Sequence, residues 1–220
     1  MNYKPVKTKR FFTPDTRYSD IDWNNESVVV DKFQEQLSGW YINPIKALIT
    51  ASAHFGFPVI ALTCTLVDTL SQYYFGSERS SQRVFKDFLT IHFPDFAKPF
   101  PTPILVDPTK NLYAENYADA IYGAFRCGIV HEAHVSLYGV VAGHTEAVEY
   151  IENDSPTLYV DGTVCPSVVL NPEKFFAKIE AVFEQYFDIL RNPDPQHDPV
   201  RKNFKKKFLA SYGIDIGNEH

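Results

Sequence analysis

The stretch FPVIALTCTLVDTLSQYYFG, residues 57–76, sets the fold class, and the rest of the chain is read outward from it. Pro58 suits a first helical turn, where a missing N–H leaves no hydrogen bond unmade. Val59, Leu62, Leu66, Leu70 and Tyr73 then recur at three- and four-residue intervals, the period of one helix face. Gly76 supplies the stop, because glycine adopts the left-handed conformation that ends helices. The spacing predicts a helix from Pro58 to Phe75. Thr63, Thr65 and Asp68 interrupt its apolar run, so it reads as a buried helix and not a membrane span.

Upstream, Asn43-Pro44 predicts a helix start, with Asn as cap, and a helix running to Phe55 before Gly56. Val28–Leu37 reads as a short helix, or a strand feeding one, ended by Gly39. Residues 1–27 read as an irregular arm wrapped on the body by Phe11, Phe12, Tyr18 and Trp23. Downstream, a helix is expected over Ser80–Phe93. Five prolines within 94–109 predict a loop. A further helix is expected from Asn111 through Val135, with Leu112, Tyr117, Ile121, Phe125 and Ile129 on its apolar stripe and Gly123 and Gly128 allowing close packing.

The texture then changes. Asp161-Gly162 between β-branched residues is a two-residue hairpin signal, giving strands at 157–160 and 163–170 with a partner near 137–142. Asn171-Pro172 starts another helix, to Leu190, with Phe175, Phe176, Ile179, Val182 and Phe183 on its apolar face. After a proline-rich break at 193–199 comes a basic helix. The expected organisation is an N-terminal arm (1–42), a helical bundle (43–192) with a β-hairpin insert near 137–170, and a basic C-terminal helix (193–220). The fold class is mainly α.

Composition narrows the function. With 18 Phe, 13 Tyr and one Met in 220 residues, the core is built from rigid rings. The net charge of −6 excludes a globally basic surface, so any polyanion contact must be local. Cys64, Cys127 and Cys165 are odd in number, far apart and not in CxxC pairs, which argues against a disulfide framework or a cysteine zinc site. The basic start MNYKPVKTKRFF has no apolar segment behind it, so no signal peptide is expected and the cytoplasm is the default compartment.

One segment points to chemistry: IYGAFRCGIVHEAH, 121–134, which sets Arg126, His131, Glu132 and His134 on or beside a helix that otherwise reads as core. Arginine is rarely buried without a partner. A guanidinium can grip a phosphate through two N–H groups, and an imidazole can move a proton near neutral pH. The alternative is structural: Arg126 paired with Glu132 or Asp68, and His131 a hydrogen-bonded interior histidine. Asp68, an acid on a largely apolar helix, is a candidate to orient Arg126 or His131. Cys127 and Glu132, their immediate neighbours, are further candidates for the same supporting role. A zinc reading built on Cys127, His131, His134 and His144 lacks the HExxH spacing, because only two residues separate His131 from His134. Lys202, Lys205, Lys206 and Lys207 in the tail, with Lys4, Lys7, Lys9 and Arg10 at the start, are candidate RNA-phosphate contacts or simply solvated faces.

Arg126-Cys-Gly-Ile-Val-His131, with aromatic and apolar residues before it, resembles the HEPN superfamily, helical bundles whose ribonuclease members carry an R-x(4–6)-H motif. The resemblance spans roughly residues 44–190. It differs at Cys127, where the family usually has a polar residue, and at Ala133, where its nucleotidyltransferase-paired toxins carry tyrosine. It implies a homodimer acting as an endoribonuclease without metal or other cofactor, in a toxin, defence or stress setting, with an antitoxin or other protein as partner. His131 would act on the ribose 2′-hydroxyl or the leaving oxygen, Arg126 would hold the phosphate, and the product would carry a 2′,3′-cyclic phosphate. The alternative within the same resemblance is a non-catalytic module that binds nucleotide or a protein. Five residues along a regular helix is a rotation of about 140° beyond a full turn, so the two side chains do not share a stripe. Their convergence is expected from a distortion at Gly128 or from two copies meeting.

Overall fold

The computed structural model describes residues 10–107, 112–132, 134–136, 138–152 and 166–216. It is mainly helical, with two small sheets. The helices are α1 (Glu26–Leu37), α2 (Asn43–Ala51), α3 (Gly56–Phe75), α4 (Gln82–His92), α5 (Tyr117–Ala120), α6 (Gly128–Glu132), α7 (Pro172–Arg191) and α8 (Asp198–Tyr212). The strands are β1 (Pro99–Asp107), β2 (Leu112–Asn116), β3 (Gly139–Val141), β4 (Val148–Ile151) and β5 (Ser167–Leu170).

α3 is the hub, packed on by α2, α4, α7 and α8. Its length and composition would suit a membrane crossing over Ala53–Phe75, with 39% of the apolar window buried. Its hydroxyls are accommodated because Thr63, Thr65 and Thr69 each donate to the carbonyl four residues back. Gly76 ends it at φ 62°, as the sequence predicts. α7 also begins as expected: Asn171 accepts from the Lys174 N–H at 3.1 Å, and its apolar face from Phe175 to Leu190 is buried.

Residues 10–42 are not set apart from the body. Phe12 is fully buried against Tyr18, Trp23, Phe208 and Tyr212. Phe33 of α1 lies 4.5 Å, centroid to centroid, from Tyr73 and 5.6 Å from Phe204. Rings of this size carry most of the burial energy of a core, about 3–5 kcal/mol each on truncation. Gln36, buried, donates to the Phe12 carbonyl and accepts from the Tyr212 hydroxyl, tying α1 to both ends of the described chain. Gly39 does not end a helix: α1 runs through a wide turn, Ser38–Ile42, into α2, and Gly39 is small because the Pro14 ring lies where its Cβ would be. For the same reason Asn43 makes no cap; Ile42 before it is already helical.

Residues 99–107 are a strand, not the loop the prolines suggested, and 112–116 are its antiparallel partner, not the first turns of a helix. Pro99, Pro101 and Pro103 stand at alternate positions of β1, which strips amides from one edge and makes it a poor template for further strands. Phe100 stacks on Tyr150 at 4.6 Å, and the Tyr150 hydroxyl donates to Thr102 O, joining this ribbon to the second sheet. That sheet has the order β3-β5-β4, with β3 parallel and β4 antiparallel to a fully buried β5. β3 and β5 fall inside two of the expected strand positions. The Asp161-Gly162 turn and the strand at 157–160 lie outside the described residues.

Candidate functional site

The helix carrying Arg126 starts at Tyr117, where Asn116 accepts from the Asp119 N–H, and ends at Glu132 rather than Val135. Between α5 and α6, residues Ile121–Cys127 form a π turn, in which the Gly128 N–H bonds to the carbonyl of Gly123, five residues back. Such turns widen a helix by one residue and recur at functional sites. Arg126 stands in the last turn of the widened segment and His131 in the regular turn after it, and the long arginine side chain spans the offset between them. Arg126 Nη1 lies 3.1 Å from His131 Nε2 within a single chain.

Small residues make the turn possible. Residues 134–136, 138 and 139 lie back over it: Ser136 donates its N–H to Ala124 O, and His134 donates its N–H to Gly128 O. A Cβ on Gly123 would meet the Tyr138 hydroxyl, and one on Gly128 would lie 2.6 Å from His134 O. The close packing expected at both glycines is therefore against this returning loop.

Arg126 is held on its other edge by two elements. Asp68, on the face of α3 turned toward the π turn, accepts from Nη2 at 3.0 Å. The loop that follows Gly76 carries Ser80 back beside α3, where its Oγ accepts from Nη2 at 3.3 Å and donates to Asp68 Oδ1 at 2.5 Å. The loop is itself anchored by α8, whose Lys207 amine donates to Glu78 O. The Arg126 and Asp68 side chains are 15% and 16% exposed, whereas His131 is exposed. Burial works against the Arg126 charge, but the Asp68 carboxylate outweighs it and raises the pKa. The guanidinium also lies over the Tyr122 ring at 5.5 Å.

An arginine only donates, so the contact at His131 Nε2 requires that nitrogen to be an acceptor. The neutral imidazole then carries its proton on Nδ1. Cys127 Sγ is 4.0 Å from Arg126 Nη1 and adjoins Tyr122, whose hydroxyl is raised in pKa by burial and by the thiol. Cys64, one turn before Asp68, is fully buried, and burial pushes its thiol up to about 12.

Several expected residues lie elsewhere. Glu132 turns to His134 at 3.1 Å, both side chains 61% exposed, and does not orient Arg126. The tail lysines do not form one strip: Lys205 pairs with Glu26 at 2.7 Å, and Lys207 is buried over the Tyr73 ring, which leaves Lys202 and Lys206 as the exposed pair. Lys4, Lys7 and Lys9 lie outside the described residues. Among the described residues no group of three or more His, Cys, Asp or Glu side chains is arranged to hold a metal ion. Asp68 was visible in the sequence as an acid on an apolar helix. Ser80 and Tyr122 were not, since a serine before a helix reads as a cap (Ser81 is the cap) and a tyrosine in an apolar run reads as core.

No family model, curated protein or solved structure matches the chain.

Proposed function

We propose that the chain is a HEPN-like, metal-independent endoribonuclease in which Arg126 and His131 act on one phosphodiester. The reading rests on a single observation: an exposed imidazole lies 3.1 Å from a guanidinium that is oriented from behind by a carboxylate. When a phosphate enters, Arg126 Nη1 transfers its N–H from His131 to a non-bridging oxygen and stabilises the charge that develops there. His131 Nε2, released, takes the proton of the 2′-hydroxyl. The 2′-oxygen bonds to phosphorus, the bond to the 5′-oxygen breaks, and that oxygen takes a proton from water, whose hydroxide is neutralised by the proton on His131, restoring the neutral imidazole. The product is a 2′,3′-cyclic phosphate. The pair is complete within one chain, so a homodimer would set two sites near each other without supplying a missing half. A cytoplasmic toxin or defence protein held by an antitoxin fits this chemistry.

A binding role is favoured by a different observation: the Nη2 edge of Arg126 is already taken by Asp68 and Ser80, which leaves less of the guanidinium for substrate. The two readings separate in one experiment, cleavage of a mixed RNA pool in EDTA by the wild type, His131→Ala and Arg126→Ala, with folding checked by circular dichroism. Cyclic-phosphate ends formed by the wild type and lost in both folded variants support the nuclease. RNA bound but uncut by the wild type supports the module, and neither binding nor cleavage removes both.

A further inference from the structure

Arg126 has two terminal nitrogens and only one of them can face His131. Which one does is decided on the far side of the guanidinium. Nη2 donates to both Asp68 Oδ2 and Ser80 Oγ, so both of its protons are engaged. Ser80 closes the arrangement by donating its own proton to Asp68 Oδ1. The three side chains form a ring of hydrogen bonds, each member bonded to the other two.

Asp68 alone would hold the Nη2 edge by a single bond, with the Tyr122 ring beneath the plane. The serine supplies the second contact on that edge. It comes from a different element, the 76–81 loop, which Gly76 turns at φ 62° and which Lys207 of α8 pins through the carbonyl of Glu78, while Asn203 of α8 holds the last turn of α3 through the carbonyl of Tyr74. The serine therefore sits on an anchored segment rather than a free loop.

We infer that Ser80 is a positioning residue for the Arg126–His131 site: its hydroxyl fixes the guanidinium in the orientation that aims an N–H at His131 Nε2 and at an incoming phosphate. This deepens the nuclease reading and rests on it for its catalytic consequence, but its geometric content stands without any reaction. Ser80 itself touches no substrate. Threonine keeps the hydroxyl and alanine removes it while leaving Asp68 and Arg126 in place.

The test uses the full chain as wild type, Ser80→Ala and Ser80→Thr. The first readout is the tautomer of His131 from ¹⁵N imidazole shifts, assigned by the loss of its signals in His131→Ala. The expected result is the Nδ1–H form in the wild type, a mixture of tautomers in Ser80→Ala, and recovery in Ser80→Thr. The second readout is RNA cleavage, where Ser80→Ala should lower kcat by roughly ten- to a hundredfold with KM little changed, again recovered by threonine. An unchanged tautomer in a folded Ser80→Ala protein overturns the positioning role. A wild type that cuts no RNA but shows the expected tautomer series retains the positioning role and removes the nuclease reading. If Ser80→Ala fails to fold, Ser80→Cys, with a similar volume and a weak donor, takes its place in the same measurements.

Discussion

Asp68→Ala tests whether the cluster around Arg126 is an energetic unit. The substitution removes two charge-assisted hydrogen bonds, from Arg126 Nη2 at 3.0 Å and from Ser80 Oγ at 2.5 Å. Bonds of this kind contribute about 1.5–3 kcal/mol each. Arg126 and Asp68 are 15% and 16% exposed, so the low end applies to their bond, and Ser80 is exposed, so its bond adds less. The sum is a loss of about 2 kcal/mol. For a chain of this size that lowers Tm by roughly 4–8 °C. Removing Asp68 also strands Arg126, so the single variant overstates the pair, and a double-mutant cycle with Arg126→Ala isolates it. The expected coupling is about 1.5 kcal/mol from urea unfolding followed by circular dichroism. A coupling below about 0.5 kcal/mol, the level of solvent-exposed ion pairs, would refute the claim that Asp68 holds Arg126 in place.

Three further outcomes are expected. His92 is held below its ordinary 6.5 by burial, and its Nε2 lacks a hydrogen-bond partner among the described residues, so the folded state favours the neutral ring. The unfolded chain then binds more protons just below pH 6.5; stability is complete above that value, falls as pH drops through the window beneath it, and His92→Phe should flatten this part of a urea-midpoint profile. Iodoacetamide on the native protein should label Cys127 and spare Cys64, whose burial pushes the thiol to about 12; peptide mass spectrometry reporting equal labelling would contradict the packing of α3. Gly128→Ala should cost about 1–3 kcal/mol, because its Cβ would lie 2.6 Å from His134 O, and should disturb the His131 imidazole signals; a silent substitution would mean that the returning loop yields.

The ends of α3 and α7 are legible in the sequence because their signals are local: Gly76 as stop, and Asn171-Pro172 as start. β1 is not, because Pro99, Pro101 and Pro103 carry the local signature of a loop, and only pairing with Leu112–Asn116 makes the segment a strand. The same hidden pairing turned the front of an expected helix into β2. At the site, Arg126, His131 and Asp68 are recognisable one by one as polar groups on apolar helices. Their meeting is open in the sequence only as alternatives, Arg126 paired with Asp68 or Glu132 and the helix distorted at Gly128, because tertiary packing decides which partner a long side chain takes; Asp68 is the partner, and the distortion is a π turn just before Gly128. Ser80 belongs to the same class of nonlocal information, since its role exists only once Gly76 has turned the chain.

The bond between Gln36 and Tyr212 joins positions 176 residues apart, and the Phe12 and Phe33 rings close on Phe208 across comparable separations. On a ribosome adding about 5–20 residues per second, the early side of that contact waits on the order of ten to thirty seconds for the late side to be made. Throughout that interval α1 exposes Phe33 without its final cover, while Phe12 has only Tyr18 and Trp23 to shelter it. The nascent chain therefore carries an unfinished aromatic surface for most of its synthesis, and a holdase chaperone that binds such surfaces would be expected to release it only when α8 arrives.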